Sequence, residues 1–186
     1  MSGFFKKFQI LRVFGSFWHY SSQEHMSISN SGAEPLGNLL IALASDHISP
    51  GSGTAAAAAM AFAAACAAKA LAISRKHRAA DEPTLAAQGR LAEIIGKCLQ
   101  RADVDSACFE AFIHHRNRQT ALALINADQD TQALAVELLN LLDQIEPAVH
   151  PVVAGDILAA RVLLNAATRI QARICDENRQ AAAGLL

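Results

Sequence analysis

The chain has 186 residues, 16 basic and 17 acidic side chains for a formal net charge of -1, and 52% hydrophobic residues. That length suits one domain, the apolar share excludes a disordered tail, and the charge balance excludes a broad basic face for DNA or RNA. Alanine fills 39 positions against five prolines and ten glycines; it favours helix and offers little to a sheet, so an all-α fold is expected.

Residues 1–20 hold seven of the ten aromatic side chains, together with Lys6, Lys7 and Arg12. A basic, aromatic segment of this kind suits a membrane surface or a targeting role, or is a plain extension ahead of a domain. The last reading is preferred, so residues 1–32 are expected to be a poorly ordered extension and linker and residues 33–186 the folded domain. A short apolar segment at 36–44 is broken by Asp46-His47-Ile48-Ser49-Pro50-Gly51-Ser52-Gly53-Thr54. Ala55 to Ile73 then runs for nineteen residues with Lys69 as the only charge. This approaches the ~20 residues that span a bilayer. Most of its side chains are single methyls with little transfer energy, and no second such stretch is evident. A soluble helix buried on nearly all sides, and no membrane span, is the expectation.

Asp81-Glu82-Pro83-Thr84 reads as the start of the next helix, with proline in the first turn. Its apolar seam steps through Leu91, Ile95, Cys98, Ala102, Phe109 and Phe112, with Asp105 as its one polar member. A shorter helical stretch from about Gln119 leads into Leu134–Ile145, closed by Pro147 and Pro151. The last helix opens at Gly155-Asp156 and runs to about Arg179. Its expected inner face is Ile157, Leu158, Val162, Leu163, Ala166, Ile170 and Ile174, with Arg161, Asn165, Arg169 and Arg173 opposite. These periods predict an antiparallel up-and-down helical bundle. The four cysteines form no C-x-x-C pair and no H-E-x-x-H is present. They read as small apolar fillers in a reducing, cytoplasmic protein without a metal site.

Asp105 is the most informative residue. A carboxylate placed in an apolar seam is costly to ionise, and the raised pKa that follows suits acid–base chemistry near neutrality. An acid at the bundle edge, or one satisfied by a structural partner, fits the spacing equally. Asp103 and Glu110 fall off the seam and are expected to be solvated. The Pro50–Thr54 turn offers backbone N–H groups and a helix dipole to a ligand, though any buried helix needs a turn and a cap. Asp156 reads as an N-cap, and His77 and Arg78 as cations favoured at a helix C-terminus.

Taken together, these motifs resemble the formiminotransferase-cyclodeaminase C-terminal family, which includes methenyltetrahydrofolate cyclohydrolases. Pro50-Gly51-Ser52-Gly53-Thr54 stands where that family has P-G-G-G-S before an alanine-rich helix, and His77-Arg78 where it has a basic pair. Asp105-Ser106-Ala107-Cys108-Phe109-Glu110-Ala111-Phe112 is similar to its acid–phenylalanine–acid–aromatic motif, and Gly155-Asp156 to its Ser-Asp. Asn178 takes the second asparagine of its N-V-x-x-N. His114–Arg118 replaces a Leu-Pro-Lys segment, and Ile174 the first asparagine.

The resemblance implies a cyclodeaminase-like bundle acting on a tetrahydrofolate derivative, as cyclohydrolase or cyclodeaminase, with Asp105 as the catalytic acid–base. It implies substrate contacts from Gly51, Ser52, Gly53, Thr54, His77, Arg78, Phe109, Asp156 and Asn178. No metal or bound cofactor is called for, because the reactive carbon arrives on the folate. A homodimer is implied as well. The alternative expectation is a diverged, non-catalytic pterin-binding or assembly module.

Overall fold

Nearly every position between Ser52 and Ser74 carries a small apolar side chain, and a helix so built can be approached closely on several sides at once. In the computed structural model, which describes residues 36–77 and 81–186, that helix packs chiefly on two neighbours. The order is α1 (Leu36–Leu43), α2 (Ser52–Ser74), α3 (Glu82–His114), α4 (Arg118–Ile145) and α5 (Ala154–Ala182). Two 3-10 turns, Glu146–Ala148 and Pro151–Val153, join the last two helices, and no strand occurs among the described residues. The expected extension at 1–32 lies outside them.

The long helices run antiparallel in turn around a four-helix bundle, as the cross-helix pairs require. Thr54 meets Ser106 near one end of α2 and α3, while Arg75 meets Gln88 near the other. Arg90–Glu137 and Arg101–Asp130 tie α3 to α4 in the same sense. Arg161 holds Asp143 and Glu146 at the α4–α5 corner, and Lys69–Asp156 joins α2 to α5.

Local signals set the helix starts. Asp81 accepts from the Thr84 N–H at 3.0 Å with Pro83 in the first turn, as expected. Asn117 and Thr120 exchange side-chain bonds in a capping box that opens α4. The shorter stretch expected from Gln119 is thus one continuous helix of 28 residues. At α5 the N-cap is Val153, and Asp156 lies inside the first turn, paired with Lys69 at 3.4 Å; the N-cap reading of Asp156 is corrected.

The inner face of α5 is also rotated from the expected one. Ala160, Leu164, Ala167, Gln171 and Cys175 point inward with Ile157 and Ile174. Leu158 and Val162 stay 63% and 58% exposed. Apolar residues ring this helix, so periodicity underdetermines its register, and the close approach of α2 draws the alanines inward. Phe62 of α2 is exposed as well, at 47%, so both helices carry apolar side chains outward. α2 and the stretch Pro151–Ala182 are both long and apolar enough to cross a membrane. The expectation of one such stretch is therefore corrected, and half of the α2 span is buried inside the bundle.

Two apolar clusters divide the core. The larger joins α2 from Ala56 to Leu71 with Leu91–Cys98, Leu134–Ile145 and Ile157–Ala167. The smaller consists of Phe112, Ala121, Leu124 and Ala182. Between them lies a polar layer: Asp105 on α3, Asp128 and Thr131 on α4, and Gln171, Cys175 and Asn178 on α5. α2 begins at this layer while its three partners continue past it.

Candidate active site

The first turn of α2 presents bare backbone at Gly53 to the Asp105 side chain of α3. A Cβ built on Gly53 would overlap the carboxyl carbon and both oxygens of Asp105, so only glycine admits this contact. Gly51, by contrast, has open space around it and an extended backbone. Thr54 fixes the contact laterally. Its Oγ1 lies 3.5 Å from Asp105 Oδ2, 3.3 Å from the Ala102 carbonyl and 2.9 Å from Ser106 Oγ, and its backbone N–H donates to the Asp105 carboxylate.

Burial pushes the Asp105 carboxyl up to about 6, the negative charge of Asp128 adds to the rise, and the two Thr54 donors oppose it. Such a group accepts and returns a proton near neutral pH. The carboxyl is partly exposed rather than sealed, so a small molecule at the α2 end can reach it. Glu110 is exposed as expected, whereas Asp103 is partly buried and engaged, which corrects the expectation that it is freely solvated.

Asp128 is the residue that sequence reasoning missed. It is only 4% exposed, and its two oxygens accept from Gln171 Nε2 and Asn178 Nδ2, each at 3.0 Å. Burial raises its pKa, while the two amides and Arg179 pull the other way. The same seam test that picked out Asp105 picks out Asp128, since Ala121, Leu124, Ala135, Leu138 and Leu142 flank it at helical spacing on the buried face of α4. Asn178, expected at the substrate, spends its amide on this carboxylate.

Beside the α2 N-terminus runs an open groove of about 620 Å³ lined by Ser52, Ala166, Arg169, Ile170, Arg173, Ile174 and Glu177. Arg173 donates to Glu177 at 2.6 Å. Of the polar stripe of α5, Arg161 ties down α4, while Asn165, Arg169 and Arg173 are exposed and the two arginines edge this groove. Phe109 is half-buried against the Phe112–Leu124 cluster, on the far side of the polar layer from α2.

The structure thus brings Gly51, Ser52, Gly53, Thr54 and Asp105 together, with Asn178 one residue removed through Asp128. Phe109 follows Asp105 by one turn of α3, while His77 and Asp156 are not brought in. Thr54 and Lys69 are ~22 Å apart along α2 at 1.5 Å per residue. Asp156, on Lys69, is at the other end of the bundle, and His77 lies past it, stacked on His150 with ring centroids 4.1 Å apart. Arg78 lies outside the described residues.

The four thiols have unequal settings. Cys98 is buried and pushed up to about 12 by its burial and by Glu137, Cys175 is buried too, and Cys66 and Cys108 are half-buried. Their upward shifts keep them protonated and inert, as fillers should be.

Among curated proteins none matches the chain. The family model described as formiminotransferase-cyclodeaminase matches residues 35–181, which takes in all five helices up to the last turn of α5. By that match the function is folate-related, and the chain belongs to the formiminotransferase-cyclodeaminase family.

Proposed function

We propose that the protein is a folate one-carbon enzyme that hydrolyses the methenyl bridge of methenyltetrahydrofolate or releases ammonia from formiminotetrahydrofolate, with Asp105 moving the proton. One observation carries this reading: the Asp105 carboxyl lies on the glycine-backed first turn of α2, partly open to solvent and titrating at about 6. In cyclohydrolysis the oxygen of a water bonds to the methenyl carbon and its proton passes to the Asp105 carboxylate. A carbon–nitrogen bond of the adduct then breaks with its electron pair staying on nitrogen, Asp105 returns the proton there, and the adduct hydroxyl becomes the formyl C=O as its proton is lost to solvent. In deamination the second folate nitrogen bonds to the formimino carbon, the carbon–amine bond breaks with its electron pair on the amine, and the same carboxyl protonates the departing ammonia. The N–H groups at the start of α2 face a carbonyl or carboxylate of the substrate. The tetrahydrofolate derivative is substrate rather than cofactor, and no metal enters the step.

The test is the loss of methenyltetrahydrofolate absorbance, read beside binding titrations with several reduced pterins. Turnover supports the enzyme reading, and binding without turnover supports a non-catalytic pterin-binding module. Inertness to both overturns the assignment. The module reading has its own support in Asn178, whose amide is already held by Asp128.

We place the protein in the cytoplasm, without a membrane span, as a homodimer joined through the exposed apolar side chains Phe62 of α2 and Leu158 and Val162 of α5. Burying them in a partner removes them from water, and an antiparallel pairing would carry the His77–Asp156 end of one copy towards the Asp105 end of the other.

A further inference from the structure

Two carboxyl groups, Asp105 and Asp128, share one polar layer between two apolar clusters, and the charge of Asp128 raises the cost of ionising Asp105. Their donors are unequal. Asp128 has an amide on each oxygen, Gln171 Nε2 and Asn178 Nδ2, both at 3.0 Å and both from α5. Asp105 has the Thr54 N–H and a hydroxyl at 3.5 Å that is also within reach of a carbonyl and of Ser106. Donors that hold a carboxylate favour its anion.

The surrounding groups point the same way. α2 brings only Thr54 and its backbone to Asp105. On α3 the neighbours are the Cys108 thiol and Arg101, the latter paired with Asp130 of α4. From α5 come Cys175, Asp176 and Arg179, of which Arg179 acts on Asp128 and is itself 3.5 Å from Asp176. The pair is therefore asymmetric, and its asymmetry is built by α5.

We propose that Asp128 is a positioning residue for Asp105: the Gln171 and Asn178 amides hold Asp128 as the anion, leaving Asp105 as the member of the pair that takes up and releases the proton. Two like carboxyls in one site divide into one that stays charged and one that titrates, according to the donors each is given. Asp128 touches no substrate in this arrangement. Its use in catalysis rests on the folate-enzyme reading, but the division of the proton does not.

The experiment is a carbon-13 titration of the aspartate carboxyls in the full chain, with the Asp105 and Asp128 signals identified by their loss in Asp105→Asn and Asp128→Asn. In the parent protein Asp128 is expected to ionise below Asp105; the reverse order overturns the proposal. Asp128→Asn removes the neighbouring charge and should lower the Asp105 midpoint by roughly one pH unit. Asn178→Leu and Gln171→Leu strip donors from Asp128, so the proton should move to Asp128 and the Asp105 midpoint should again fall. A loss of packing alone has no reason to reverse the order of two midpoints.

An Asp105 midpoint that stays put in these variants, with helical content intact, refutes the proposal. If Asp128→Asn fails to fold, the donor variants still decide through the Asp105 midpoint, whose signal is identified by Asp105→Asn alone. Where methenyltetrahydrofolate is turned over, the pH profile of kcat should follow the Asp105 midpoint. Absence of turnover would count against the folate reading and leave the titration result standing.

Discussion

Replacing Asp105 by asparagine should make the protein more stable and less active, and the pH dependence of the gain identifies its cause. The folded carboxyl titrates at about 6 against an ordinary value of 3.8. Between those values the native state holds a proton that the unfolded chain has lost, so stability falls as pH rises through that window. Above about pH 7 the deficit is complete; a shift of about two units at 1.36 kcal/mol each gives ~3 kcal/mol. The figure is an upper one, because part of the carboxyl still faces water. Asparagine has the same shape, keeps an oxygen for the Thr54 N–H and has no charge to desolvate. Relative to the parent, Asp105→Asn should gain up to ~3 kcal/mol at about pH 7.5 and little at about pH 4. For a chain of this size that is roughly 6–12 °C in Tm. Denaturant melts of both proteins at the two pH values measure it. In parallel, turnover of methenyltetrahydrofolate should drop ~100-fold to 10,000-fold, the usual loss for one positioned acid–base group. A gain of equal size at both pH values would refute the desolvation argument. An unchanged rate would remove Asp105 from the chemistry, and an unfolded variant would make it a packing group.

Gly53→Ala should lose activity and stability together, although alanine in place of glycine inside a helix ordinarily gains about 1 kcal/mol; Gly51→Ala, with open space around it, should behave like the parent. Paired thermal melts and rate measurements decide, and a stable, active Gly53→Ala would show that Asp105 does not depend on the close contact. Val162→Glu places a charge among the exposed apolar side chains of α5 and should yield monomers by sedimentation with helical content unchanged; a parent protein that is already a monomer sinks the dimer proposal. Ser74→Ala removes a buried hydroxyl that accepts from the His150 N–H at 2.7 Å and donates to the Ala70 carbonyl. Leaving that N–H unpaired should cost about 1–3 kcal/mol by urea unfolding, and a change below a few tenths would show that water replaces the hydroxyl.

The sequence by itself determined the helical class, the chain order of the helices and the place of Asp105. Alanine content, aspartate and proline at the start of α3, and apolar steps of three and four are local signals, and local signals set local structure. The break of the seam at position 105 was legible because one polar side chain interrupts an otherwise apolar row. Asp128 interrupts α4 in the same manner, but its role depends on Gln171 and Asn178, which belong to a helix more than forty residues on. Only tertiary structure decided which carboxyl meets which amide, why position 53 must lack a Cβ, and that His77 and Asp156 stand at the end of the bundle away from Asp105. The register of α5 was likewise undetermined, since its apolar residues ring the helix and any of several faces would bury well. The close approach of the alanine helix α2 selected one of them, and the residues it turned outward formed the surface proposed for a second copy.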